Sequence, residues 1–98
     1  MSAPRYFDKQ GQPLDLRTWA RLFEDWDYKR IARTLLPNGY RVATVWLGVN
    51  QRFEPGPPLI FETMVFGHPA AEPCERYSTE AEARAGHDRL VAIWAARP

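Results

Sequence analysis

His68, Cys74 and His87 are the only imidazole and thiol side chains in this sequence, so any metal or nucleophile chemistry would have to begin with them. A tetrahedral zinc site takes four well-spaced ligands of these types, and these three, even joined by Glu62 or Asp88, do not make that pattern. A Cys/His nucleophile pair has no better support, because Pro73 before Cys74 and Glu75 after it do nothing to hold a thiolate. No cofactor is expected and no catalytic residue stands out. What remains is a polar set in apolar surroundings. His87 follows Gly86, precedes Asp88 and shares a helical apolar stripe with Ala83, Leu90, Val91 and Trp94. A histidine so placed is ordinarily half-buried with one partner. The alternative is that Gly86 lets the helix approach a sheet closely and His87 reaches Glu62 or Tyr77, giving a pH-sensitive contact or the centre of a small enzyme or ligand binder. Glu62, between Phe61 and Thr63, belongs either to a solvated patch or to a pair with Arg41, Arg76 or His87.

The elements that must position these residues are written in the hydrophobic pattern. Residues 40–66, YRVATVWLGVNQRFEPGPPLIFETMVF, are two β-branched and aromatic runs around a loop. Pro55, Pro57 and Pro58 lack amide donors and end the ladder there. Period-two alternation puts Tyr40, Val42, Thr44 and Trp46 on one face of the first run and Arg41, Ala43, Val45, Leu47 and Val49 on the other. Both faces are rather apolar, which predicts a central strand with packed elements on each side. In the second run Leu59, Phe61, Thr63 and Val65 oppose Ile60, Glu62, Met64 and Phe66. The intervening loop, with Phe53, Pro57 and Pro58, is a candidate binding surface. Asn38-Gly39 predicts a hairpin turn after a run at residues 28–35, since both residues tolerate positive φ. A turn-rich stretch leaves Cys74 in a loop, and residues 75–78 predict a short fourth strand.

Two helices flank the strands. Asp15 is a natural N-cap, with Leu14 and Trp19 at the two staple positions, and Leu16, Trp19, Ala20, Phe23 and Trp26 form an apolar stripe that fades around residues 25–27. Thr79 with Glu82 makes a capping box for a helix running to about residue 96, supported on its outer face by Glu80/Arg84 and Arg84/Asp88. The expected architecture is a single α+β domain: an antiparallel meander of three or four strands with an N-terminal and a C-terminal helix packed on it.

Composition narrows the function classes. The chain has 98 residues, 45% of them hydrophobic and 13% aromatic, enough for one core without disulfide support, and its single cysteine fits a reducing, cytoplasmic setting. No apolar run approaches the ~20 residues that cross a bilayer, so no membrane partner is expected. Thirteen basic against twelve acidic residues give a formal charge of +1, which does not favour nucleic acid in general. The basic residues do gather between residues 17 and 41, where Arg17, Arg21, Lys29, Arg30, Arg33 and Arg41 form either a nucleic-acid patch or simply a solvated helix face and a polar strand face. Trp46, Phe53, Phe61 and Phe66 would be a base-stacking platform if they shared a surface, and core residues if they did not.

The segments TVWLGVNQRFEPGPPLIFETMVFG and RYSTEAEARAGHDRLV, spanning roughly residues 43–91, resemble a family of small uncharacterised proteins of bacteriophages, prophages and actinobacteria. Its members carry STVWLGLDHxFGxGPPLxFETMVF followed by RYSTxxEAxxGHxxxV. Thr44, Leu47, Gly48, Phe53, Gly56, Pro57, Pro58, Phe61, Glu62, Thr63, Met64, Tyr77, Ser78, Thr79, Gly86 and His87 fall in place. Asn50-Gln51 stands where that pattern has Asp-His, and Glu54-Pro55 where a glycine is usual. The resemblance implies a phage-type accessory protein and brings no known activity or catalytic residue with it. That context, with no catalytic constellation in the sequence, leads to the expectation of a bacterial cytoplasmic protein that binds a host or phage protein without catalysis, for instance as an inhibitor or anti-defence protein. Self-association is also open, since apolar strand faces can be covered by a twin.

Overall fold

The computed structural model describes residues 4–67 and 72–98, the side chains of residues 72–74 apart; His68 lies outside the described residues. The elements run β1 (Tyr6–Phe7), β2 (Pro13–Leu14), α1 (Leu16–Phe23), α2 (Trp26–Lys29), β3 (Arg30–Leu35), β4 (Arg41–Trp46), β5 (Phe61–Phe66), β6 (Glu72–Tyr77) and α3 (Glu80–Ala95). Strands β3 to β6 form a four-stranded antiparallel meander in sequence order, and β1 and β2 pair separately as a small hairpin. Helix α3 crosses one face of the sheet and touches all four of its strands. The architecture is α+β, with the C-terminal helix on the sheet.

Local chemistry explains the helix boundaries. Thr79 Oγ1 accepts from the Glu82 amide at 3.1 Å while the Thr79 amide donates to Glu82 Oε1 at 3.1 Å, so two otherwise unpaired donors of α3 are satisfied together. Asp15 caps α1 by accepting from the Thr18 amide at 2.7 Å. The N-terminal stripe ends at Phe23, because Asp25 accepts from the Asp27 and Tyr28 amides and starts α2 afresh. Trp26 therefore leaves the stripe and stands 62% exposed instead of turning inward.

The core lies between the sheet and its helices. Ile31, Trp46, Ile60, Phe61, Tyr77 and Ala83 form one buried cluster, closed off by Phe7, Leu14, Trp19, Leu22, Phe23 and Tyr28 from the N-terminal elements. Leu36, Val42, Val65, Leu90 and Trp94 form a second under the later turns of α3. Each large side chain so enclosed adds about 1.5–3 kcal/mol. The indole groups do not forfeit hydrogen bonds: Trp46 Nε1 donates to the Phe7 carbonyl at 3.0 Å and Trp19 Nε1 to the Leu47 carbonyl at 2.9 Å. These bonds fasten the β1–β2 hairpin and α1 to the sheet.

Three expectations need correction. Strand β4 is central, but only the face bearing Val42, Thr44 and Trp46 is buried; Arg41, Ala43 and Val45 are half-exposed, because α3 and the N-terminal elements pack against the same face. The hairpin turn expected at Asn38-Gly39 does join β3 to β4, closing from Leu36 N to the Tyr40 carbonyl, but positive φ is taken by Gly39 alone and not by Asn38. Asn38 uses its side chain on both sides: Oδ1 accepts from the Tyr40 amide within the turn at 3.2 Å, while Nδ2 donates to the Trp94 and Arg97 carbonyls at the C-terminal end of α3 at 2.9 and 3.0 Å. Finally, Cys74 belongs to strand β6 rather than to a loop, beside a register shift opposite Thr63 and Met64.

Candidate functional site

The buried face of the sheet is crossed by a line of polar side chains that the alternation brings together in depth. Thr34 of β3, Thr44 of β4, Thr63 of β5 and Tyr77 of β6 all point toward α3, which contributes His87. The contacts are Thr34 Oγ1 to His87 Nε2 at 2.9 Å, His87 Nδ1 to Thr44 Oγ1 at 2.8 Å, Thr44 to Thr63 Oγ1 at 2.5 Å, Thr63 Oγ1 to the Tyr77 hydroxyl at 3.0 Å, and that hydroxyl to Glu75 Oε1 at 3.0 Å. Arg89 of α3 closes the surface end by pairing with Glu75. Among the described residues no buried side-chain nitrogen or oxygen lacks a partner.

The direction of the line follows from its charged end. A carboxylate only accepts, so the single phenolic hydrogen of Tyr77 goes to Glu75, and Tyr77 must receive from Thr63. Thr63 then receives from Thr44, Thr44 from the Nδ1–H of His87, and His87 Nε2 from Thr34. One carboxylate at the rim thereby selects the imidazole tautomer several side chains away. Burial pushes the Tyr77 phenol up to about 12, so it remains a donor at any ordinary pH.

His87 is 3% exposed and both of its ring nitrogens are occupied. A catalytic imidazole must reach a substrate, and this one is enclosed. Burial pushes its pKa below the ordinary 6.5, with Asp88 drawing it up and Arg84 opposing on the same helix; among the described residues its hydrogen-bond partners from the sheet are the uncharged Thr34 and Thr44, with Tyr77 and Glu75 further along the line. The unfolded chain therefore takes up a proton near 6.5 that the folded chain refuses until lower pH. The stability is fully present above 6.5 and is lost as pH falls through the folded value. Unfolding midpoints measured between neutrality and about pH 5 should fall more steeply for the wild type than for His87→Gln, whose amide cannot be protonated in that range.

The expected grouping of Glu62 with His87 does not occur. Glu62 sits on the opposite face of β5 and pairs with Arg76 Nε at 2.8 Å across the β5–β6 ladder, one of the three pairings its sequence context allows. Tyr77 does join His87, but through Thr63 and Thr44. In the sequence those threonines are simply members of apolar strand faces, and a hydroxyl repeated at the centre of two buried faces is the signal that could mark the line.

The uncovered face of the sheet is the other notable surface. Ala43, Val45, Met64 and Phe66 form its floor, Trp26 one wall, and Arg30, Arg33 and Arg41 its rim, enclosing a groove of about 570 Å³. The Arg41 guanidinium lies 4.6 Å from the centre of the Phe66 ring. Residues three apart in a regular strand point to opposite faces. A register shift at Ile31 overrides this, so Arg30, opposite Val45, and Arg33, opposite Ala43, share the open face. Among the described ion pairs none involves Arg30, Arg33 or Arg41. The basic stretch thus divides: Arg17 and Arg21 lie on α1, and Lys29 is buried with its ammonium 3.8 Å from the Phe23 ring centre and 4.2 Å from that of Trp26. The four aromatics of the candidate stacking platform divide too, for Trp46 and Phe61 are core and Phe66 alone is on the open face.

The proline-rich loop is held in shape by its own polar side chains. Asn50 Oδ1 accepts from the Arg52 and Leu59 amides at 2.9 and 3.0 Å, and Arg52 Nε donates to the Pro57 carbonyl at 2.7 Å. Phe53 projects from it, 101% exposed, and Pro57 and Pro58 lie along its return. Asn50 thus has a folding role, bridging the two ends of the loop.

Among the described residues no three histidine, cysteine, aspartate or glutamate side chains gather to hold a metal ion, and no helix is long and apolar enough to cross a membrane. No family model, curated protein or solved structure matches the chain.

Proposed function

We propose that the protein is a non-enzymatic binding module whose open sheet face docks an acidic partner protein. The observation that supports this reading is the concentration of three arginines around an apolar floor, none of them in an ion pair among the described residues, in a chain whose total charge is only +1. An apolar centre with an arginine rim is the composition of protein interfaces, where the floor contributes desolvation and the rim orientation. Two copies placed face to face would set Arg30, Arg33 and Arg41 against their equivalents, which argues against a twin as the occupant. Nucleic acid fits less well, because a stacking platform needs several free rings and Phe66 is already beneath Arg41. An enzyme or ligand binder built on Glu62 and His87 is disfavoured by their placement on opposite faces. The resemblance to phage and prophage proteins extends the proposal: a small accessory protein acting stoichiometrically on host machinery in the bacterial cytoplasm.

The test uses the immobilised protein in bacterial lysate, with Arg33→Glu/Arg41→Glu compared with Arg84→Glu on the outer face of α3. A specifically retained protein should bind the double variant at least about tenfold more weakly and the α3 variant unchanged, with wild-type affinity falling at higher salt. Equal retention by the double variant overturns the reading. Retention of single-stranded nucleic acid instead, with a steep salt dependence, transfers the face to that class of partner.

A further inference from the structure

We infer that the partner presents an extended segment with acidic residues at alternate positions, which adds to the outer edge of β3 as a fifth strand. This rests on the docking reading above and specifies its geometry. The sheet has two edge strands, β3 and β6. Strand β6 is a poor template, since Pro73 lacks an amide donor and the register shifts beside it. Strand β3, RIARTL, has no proline.

The hydrogen-bond phase of β3 decides which groups are free. Leu36 N donates to the Tyr40 carbonyl, so in the antiparallel alternation Thr34 and Ala32 exchange bonds with Val42 and Thr44. The amides and carbonyls of Arg33 and Leu35 then point away from the sheet. Among the described residues they meet no backbone partner on that side. Leu35 is 73% exposed, an apolar contact at the end of this edge.

Charge specifies the incoming strand. A strand added beside β3 shows every second side chain to the open face, at a repeat of about 6.6–6.8 Å. There it meets Arg30 and Arg33, placed together by the Ile31 shift, so carboxylates at alternate positions fall beside guanidinium groups. Arginines on an edge strand also discourage pairing with another copy of the same edge. The same side chains that repel a twin thus select an acidic segment, with main-chain bonds supplying affinity and the alternating carboxylates specificity.

The probe is a synthetic peptide of alternating glutamate and valine, with a block peptide of identical composition and two forms N-methylated on either alternate set of amides. The alternating peptide should bind the folded protein and slow hydrogen exchange at the Arg33 and Leu35 amides. Arg33→Glu should weaken it at least about tenfold, and one of the two methylated forms should lose binding. Equal binding of the block peptide, or of both methylated forms, overturns strand addition while leaving an acidic docking face intact. Strand addition is likewise overturned if no peptide binds although Arg33→Glu/Arg41→Glu releases the lysate partner. If the double variant also retains its partner, the docking reading fails with it.

Discussion

Thr63→Val is expected to lower the unfolding free energy by about 1–3 kcal/mol, although the two side chains have nearly the same shape. Thr63 is 0% exposed and stands in the middle of the polar line, receiving from Thr44 and donating to Tyr77. Valine leaves the Thr44 hydroxyl hydrogen without its acceptor in a site closed to water, and removes the donor that fixes the Tyr77 hydroxyl. A buried unsatisfied group costs its full desolvation, whereas the bonds themselves would count for less. Denaturant unfolding gives the magnitude, and nitrogen chemical shifts of His87 give the mechanism: the wild type should hold the Nδ1–H tautomer, and the variant should mix the two. An undiminished midpoint with an unchanged tautomer would show that the line contributes no order to the core. Thr34→Val, at the half-exposed end, is the natural control and should cost less because water can replace the hydroxyl.

Gly86→Ala is expected to destabilise the protein by about 1–3 kcal/mol, reversing the usual sign for glycine in a helix. Alanine in a helix interior ordinarily gains close to 1 kcal/mol over glycine. Here the added Cβ would occupy the space of the Tyr77 ring, meeting its hydroxyl oxygen and the adjoining ring carbons. Tyr77 cannot swing aside freely, because its hydroxyl is tied to both Thr63 and Glu75. Glycine at this point is what lets α3 lie close enough for His87 to reach Thr34 and Thr44. The check is a thermal midpoint beside that of Ala85→Gly, an exposed position on the same helix, which should lose only the propensity difference. A gain in stability for Gly86→Ala would mean that the helix can lift from the sheet without loss.

Much of the architecture was legible because local rules produce it. The capping box at Thr79 and Glu82, the N-cap at Asp15 and the period-two faces of β4 and β5 are decided by neighbours in sequence, and the structure has them as expected. Gly86 was also legible as a point of close approach. The fourth strand was shorter in the sequence than in the structure, since Pro73 and Cys74 read as loop and only pairing with β5 makes them strand.

The remaining features depend on contacts between distant segments. Apolar residues on both faces of β4 announce burial but not by what; that α3 and the N-terminal elements crowd one face, leaving the other open, is a fact of packing. Arg30 and Arg33 are three apart and belong on opposite faces until a bulge, set by pairing with β4, turns them together. Glu62 and His87 were both conspicuous as polar residues in apolar runs, yet strand phase puts them on opposite sides of the sheet. By itself the sequence determined the caps of α1 and α3 and the two faces of β4 and β5, because those follow from neighbours along the chain. Which face is covered, which hydroxyls meet an imidazole and where three arginines converge were decided only in the tertiary structure, because these relations join residues that only folding brings together.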